Sequence, residues 1–184
     1  MGFKIGDTVI HWTYGLGEIV LIEEKVLRGQ PTNCYVFRTP DLTMWIPIDD
    51  LSQSNLRIPT PAEAFGPLFT ILSDRGETLP TDRMLRKDQL RAQMKDGQLA
   101  SVCRVIRDLE YFKVSAKLNY QDTAILEQAI RSLLTEWVYS LGVTPVQAKQ
   151  ALTKLLDEKK ITHVDTHSVD MRAKKSGQAG KTAL

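Results

Sequence analysis

Leu42-Thr43-Met44-Trp45-Ile46-Pro47-Ile48 alternates along its length. Successive side chains of an extended strand point to opposite faces. Leu42, Met44, Ile46 and Ile48 therefore share one face, and Thr43 and Trp45 share the other. With the aliphatic face turned to a core, Trp45 points outward. An outward Trp on a strand is a candidate contact point, because interface anchors are enriched in Trp.

Toward the N-terminus the chain reads as more short strands. Thr8-Val9-Ile10-His11-Trp12 leads into Tyr14-Gly15-Leu16-Gly17, where two glycines tolerate the backbone angles of a turn. Glu18 to Val26 is a second strand, rich in Ile, Val and Leu. Arg28-Gly29-Gln30-Pro31-Thr32-Asn33 has turn chemistry, Cys34 to Arg38 is a third strand, and Thr39-Pro40-Asp41 turns the chain into the fourth. Strands at this spacing, separated by Gly/Pro turns, predict a small β-barrel.

Beyond residue 60 the period becomes helical. Thr60-Pro61-Ala62-Glu63 places a capping residue, a first-turn Pro and a Glu three residues after the cap. Thr144-Pro145-Val146-Gln147 repeats this with Gln, and Asn119 with Asp122 is a further cap. Helices are predicted near 61–73, 82–95, 98–114, 120–141 and 145–158, with Gly97 and Gly142 as C-terminal stops. Leu99, Val102, Ile106 and Leu109 form one apolar stripe. Leu126, Ile130, Leu133, Leu134, Trp137 and Leu141 form another, which makes Trp137 a core residue. The fold class is α+β, a barrel followed by an all-α part of about five helices. The expected divisions are 1–58, 59–159 and a low-hydrophobicity tail, 160–184, expected to be mobile.

The chain has 184 residues, 42% apolar and 25% charged, with a net charge of +2. No apolar run reaches the roughly 20 residues of a bilayer span, and MGFKIGDTVI lacks a signal-peptide layout. Both point to a cytoplasmic protein. Charge is unevenly spread. Residues 1–60 hold five Lys/Arg against seven Asp/Glu, whereas residues 81–117 hold nine against five. An anionic partner is thus expected at the second part.

Little in the sequence suggests catalysis. There is no phosphate-cradling Gly-rich loop, no G-x-S-x-G and no H-E-x-x-H. Glu23-Glu24 and Asp49-Asp50 are neighbours in sequence, so their side chains diverge in an extended chain. Cys34 and Cys103 lie in apolar contexts without C-x-x-C spacing, and read as buried free thiols. His163 and His167 lack a third ligand and read as solvent-exposed. No enzyme, cofactor, metal site or small-molecule substrate is expected.

The second helix carries Arg83, Lys87, Arg91 and Lys95 every four residues, with Arg86 close by. Like charges at that spacing repel by about 0.2–0.5 kcal/mol per pair. A helix that accepts this is suited to an anion, and phosphate groups are the natural target. A solvated face, partly neutralised by Asp88 and Asp96, is the plainer alternative.

The order of several motifs resembles the CarD/CdnL family of bacterial transcription regulators. Phe3-Lys4-Ile5-Gly6-Asp7-Thr8-Val9, Tyr14-Gly15-Leu16-Gly17-Glu18-Ile19 and Trp45-Ile46-Pro47-Ile48 are similar to that family's polymerase-interacting domain. The same domain occurs in the transcription-repair coupling factor. Gly97, Val102 and Val105-Ile106-Arg107-Asp108-Leu109 resemble the family's helical signature, so the likeness spans residues 1–157. It implies a Tudor-like barrel that binds the β subunit of RNA polymerase. It also implies a helical domain at the upstream edge of the transcription bubble, modulating the open promoter complex, in a protein expected to be monomeric. Lys25, Arg28, Arg38 and Trp45 would face polymerase. Arg83, Met84, Arg86, Lys87, Arg91 and Lys95 would face promoter DNA.

The sequence departs from the family at three places. His11-Trp12 stands where a Pro commonly follows the first-strand aromatic. Trp45 stands where a basic residue is found, making the surface less ionic. The Trp that many members use as a minor-groove wedge would fall at Arg83 or Met84, and no Trp lies between Trp45 and Trp137. Met can wedge a base step, and Arg can enter a narrow minor groove. Two other functions stay open: a polymerase-binding module that does not engage DNA, and a generic protein-binding scaffold.

Overall fold

The computed structural model describes residues 2–48 and 56–157. The expected tail, with His163 and His167, and the Asp49-Asp50 pair lie outside the described residues. The fold is α+β. Strands β1 (Thr8–His11), β2 (Gly15–Leu27), β3 (Gln30–Arg38), β4 (Thr43–Pro47) and β5 (Leu56–Arg57) precede α1 (Phe65–Ser73), α2 (Arg83–Lys95), α3 (Leu99–Ser115) and α4 (Tyr120–Leu141). A last helix, α5, runs over 145–157.

All strand pairs are antiparallel, in the order β4-β3-β2-β1-β5, which leaves β4 and β5 at the edges. Val9, Ile19, Tyr35, Phe37 and Ile46 fill the inside, with Met44 and Ile48 packed against them. The alternation of β4 is as expected, since Ile46 is buried and Trp45 exposed. Gly17 is required where β2 crosses Phe37, because a Cβ there would lie 2.4 Å from the ring.

Three expectations about this part are corrected. The turn expected over residues 28–33 is only two residues long. Arg28 (φ 53°) and Gly29 (φ 81°) both take positive φ, as a type I′ hairpin turn requires, and Gln30 to Asn33 continue β3. The short β5, paired to Ile10 and His11 of β1, was not foreseen. Thr60 does not cap a helix. The chain makes a single 3-10 turn (Ala62–Ala64) after Pro61, with no side-chain cap, and the Thr60 N–H donates to Glu136 instead.

The helices have their own core, including Leu68, Leu72, Leu90, Val105, Ile106, Leu109, Leu133 and Trp137. The other local signals are realised. Asn119 Oδ1 accepts from the Asp122 N–H at 2.9 Å. Thr144 and Gln147 exchange reciprocal capping bonds at 2.9 and 3.3 Å. Gly142 closes α4 in the left-handed region. Both cysteines are buried and free.

Candidate functional site

Trp45 stands on the outer face of the sheet, 38% exposed. In the ladder it pairs with Val36, which pairs with Leu21, so all three share one face. The Trp45 Nε1–H donates to Glu23 Oε1 at 2.5 Å. The Lys25 Nζ sits 3.2 Å from the centre of the indole ring, a cation–π contact. The expected pair Lys25–Trp45 is therefore a contact within this protein. Arg28 lies exposed at the hairpin tip, and Arg38 exposed at the far end of β3, in register with Glu18 and Thr43. These four residues share a sheet, but only Lys25 and Trp45 touch.

The thiol of Cys34 lies in the same stretch of β3. Burial pushes its pKa up, and the nearby Lys25 charge opposes that shift.

The α2 stripe is less uniform than its spacing suggested. Arg83, Arg91 and Lys95 are exposed, and Met84 beside them is exposed as well. Lys87 is largely covered: its side chain is 14% exposed, with Asp88 at 3.7 Å. Asp96 does not neutralise the stripe. It accepts from the Gln98 N–H at 2.8 Å and from the Ser101 hydroxyl, fastening the start of α3.

Arg86 corrects the expected DNA-binding set. It is 3% exposed, and its guanidinium is held by Asp122 of α4 and by the carbonyls of Pro80 and Thr81. No donor is left facing outward for a phosphate, so Arg86 is structural.

This buried pair marks one end of the helical bundle, where α2 and α4 begin. Arg86 also lies 4.6 Å from the ring centre of Phe112, so α3 ends there too. Exposed side chains collect at this end: Arg83, Met84 and Leu85 from α2, Lys113, Val114 and Lys117 from and after α3, and Tyr120 from α4. Tyr120 is 88% exposed. Beside it an open groove of about 630 Å³ runs between α3 and α4, lined by Lys113, Lys117, Leu118, Leu126 and Ile130 among others. Leu85, Val114, Lys117 and Tyr120 were not singled out from the sequence. Helical spacing alone cannot say that the ends of three helices meet.

Two family models match this chain. Residues 3–58 match the CarD-like/TRCF RID domain, and residues 67–153 match the CarD C-terminal domain. A Bacillus subtilis (strain 168) protein named "Putative transcription factor YdeB" is 30% identical over 153 residues, covering 80% of this chain and 97% of that relative. The chain belongs to the CarD/CdnL family.

Its sheet is thus the Tudor-like, RNA polymerase-interacting domain of a transcription-associated CarD-family protein. The departure at His11 has a local cause in this CarD-family chain. The His11 ring is buried against Tyr14 and Phe37, and its Nδ1 accepts from the Thr13 N–H at 3.1 Å and the Tyr14 N–H at 3.4 Å. A Pro could not tie down the β1–β2 turn in this way. Among the described residues no cluster of three or more metal-ligating side chains occurs, and no helix is long and apolar enough to cross a membrane.

Proposed function

We propose that this protein regulates transcription in the cytoplasm as a monomer, by bridging the polymerase β subunit and promoter DNA at the upstream edge of the bubble. It acts by binding, without catalysis, and changes the lifetime of the open complex. The observation that carries this reading is the pairing of two unlike exposed surfaces on one chain. The sheet offers Trp45, Leu21 and Lys25 beside β4, an edge strand among the described residues, a combination suited to a protein partner. The bundle end offers Arg83 and Lys117, with Lys113 paired to Glu110 at 2.6 Å, alongside Met84, Leu85 and Tyr120. Cations among exposed aromatic and apolar groups suit phosphates and partly unstacked bases.

In vitro transcription with purified polymerase, with and without the protein, tests the whole reading. Trp45→Ala and Lys25→Glu are expected to weaken capture of the β subunit, and full capture by both would remove that surface. Arg83→Ala with Arg91→Ala is expected to lower the salt slope of promoter binding by about 2. An unchanged slope and open-complex lifetime would remove the DNA contact.

A second reading, a polymerase-binding module that does not engage DNA, draws support from the burial of Arg86 and the covering of Lys87. Those two leave fewer free cations on α2 than the spacing promised. Footprinting of the polymerase complex separates the two.

A further inference from the structure

Glu136 is a carboxylate in the last third of α4, 1% exposed. Among the described residues, its hydrogen-bond donors come from outside the helical bundle. Arg57 of β5 donates Nη1 to Oε1 at 2.6 Å and Nη2 to Oε2 at 2.7 Å, a two-pronged fork. The Thr60 N–H, in the link between sheet and helices, donates to Oε1 at 2.7 Å. Arg57 Nη1 also reaches the Ile58 carbonyl at 3.2 Å, which stiffens the same link.

Arg57 is itself anchored. It pairs with Ile10 of β1, so a pull on the fork is passed from the edge strand to its neighbour in the sheet. Around it the seam between sheet and helices is closely filled. Ile10, His11 and Leu16 face Met94, Leu99 and Val102 around a cavity of only about 20 Å³, about the space of one water. At the seam's margin the Lys95 Nζ lies 5.8 Å from the Trp12 ring centre.

A bidentate Arg–carboxylate pair fixes both distance and angle, which a single point contact does not. We infer that the Arg57–Glu136–Thr60 junction is a positioning device that locks the sheet and the helical bundle into one orientation. The span between the Trp45 surface and the Tyr120 end is then set before either partner binds. The functional half of this inference rests on the bridging reading above; the structural half does not.

The test uses the full chain carrying spin labels at exposed positions, Asn33→Cys on β3 and Gln150→Cys on α5. Cys34 and Cys103 are buried and stay unlabelled. Distances are read by double electron–electron resonance without polymerase or DNA. The parent chain is expected to give one narrow distance. Arg57→Ala is expected to broaden or shift it, while the far-ultraviolet helical signal and a cooperative urea transition persist. Glu136→Gln keeps the shape of the side chain without a buried charge and removes the charged fork from the other side; urea unfolding checks that each variant folds, and the same broadening is expected of each folded one. A distribution as narrow as the parent's in a folded variant overturns the inference. In transcription assays the folded variants are expected to capture polymerase as before, yet lose most of the open-complex effect. If the unaltered protein has no such effect, the bridging reading fails while the distance result stands.

Discussion

Arg86 Nε and Nη2 both donate to one oxygen of Asp122, Oδ2, at 3.1 and 2.8 Å. Asn119 Nδ2 donates to the same oxygen at 2.8 Å. The guanidinium thus ties α2 to the first turn of α4 while resting on Phe112 of α3. A side chain that looked like part of a DNA-binding stripe is instead a link among three helices.

Removing one member of a buried pair leaves the other charged and without its counter-ion, at a cost of about 3–5 kcal/mol. Arg86→Ala is expected to destabilise the helical part by that order. Arg86→Met combined with Asp122→Asn leaves no buried charge and is expected to recover much of the loss. Urea unfolding followed by far-ultraviolet dichroism checks both. A harmless Arg86→Ala would remove the structural role.

The hairpin tip stores strain. Arg28 has a Cβ yet takes a φ of 53°, a conformation costing roughly 1–2 kcal/mol for ordinary residues. Asn-Gly is favoured in such turns. Arg28→Asn is expected to raise stability by about 0.5–1 kcal/mol, read as a shift of the denaturation midpoint. Weaker capture of polymerase by this more stable variant would show that Arg28 serves binding at the expense of folding.

His11 makes the sheet sensitive to acid. Burial lowers its pKa from 6.5, and its Nδ1 must stay unprotonated to accept the Thr13 and Tyr14 amides. The unfolded chain therefore takes up the proton more readily. The stabilising contribution is full above about pH 6.5 and is lost as the pH falls through the lower folded value. Thermal midpoints between pH 7 and pH 5 are expected to fall in the parent chain, and to fall less in His11→Asn. Equal slopes would exclude His11 as the cause.

Cys103 titrates the other way. Burial, with Glu136 adding to it, pushes its thiol from 9.0 up to about 12. Its contribution to stability is complete below pH 9 and is lost as the pH rises toward 12. At pH 8 the folded protein is expected to react negligibly with Ellman's reagent at this position. Addition of denaturant is expected to release it. Fast labelling of Cys103 in the native protein would contradict its burial.

What could be read in the sequence was whatever depended on near neighbours. The alternation of Leu42 to Ile48, the Asn119 and Thr144 caps and the Gly142 stop involve residues within a few positions of one another. The misreadings share a cause in distant partners. Arg86 is claimed by Asp122, and the Thr60 amide by Glu136. Pro31 and Asn33 suggested a turn, but strand pairing with Val26 and Glu24 prevailed over local preference. The strand β5 has two residues and shows no period at all.

The indole of Trp45 is already tethered across the outer sheet surface, by Glu23 of β2 at its N–H and by Lys25 of β2 over its ring. A partner that closes on this spot meets a group with few rotamers left to surrender, so little ordering entropy is charged at contact. The Lys25 ammonium over its face is also a competitor: any group that would pack on that side of the ring has to displace it first. A partner docking here would thus meet the outer edge of the indole before its face.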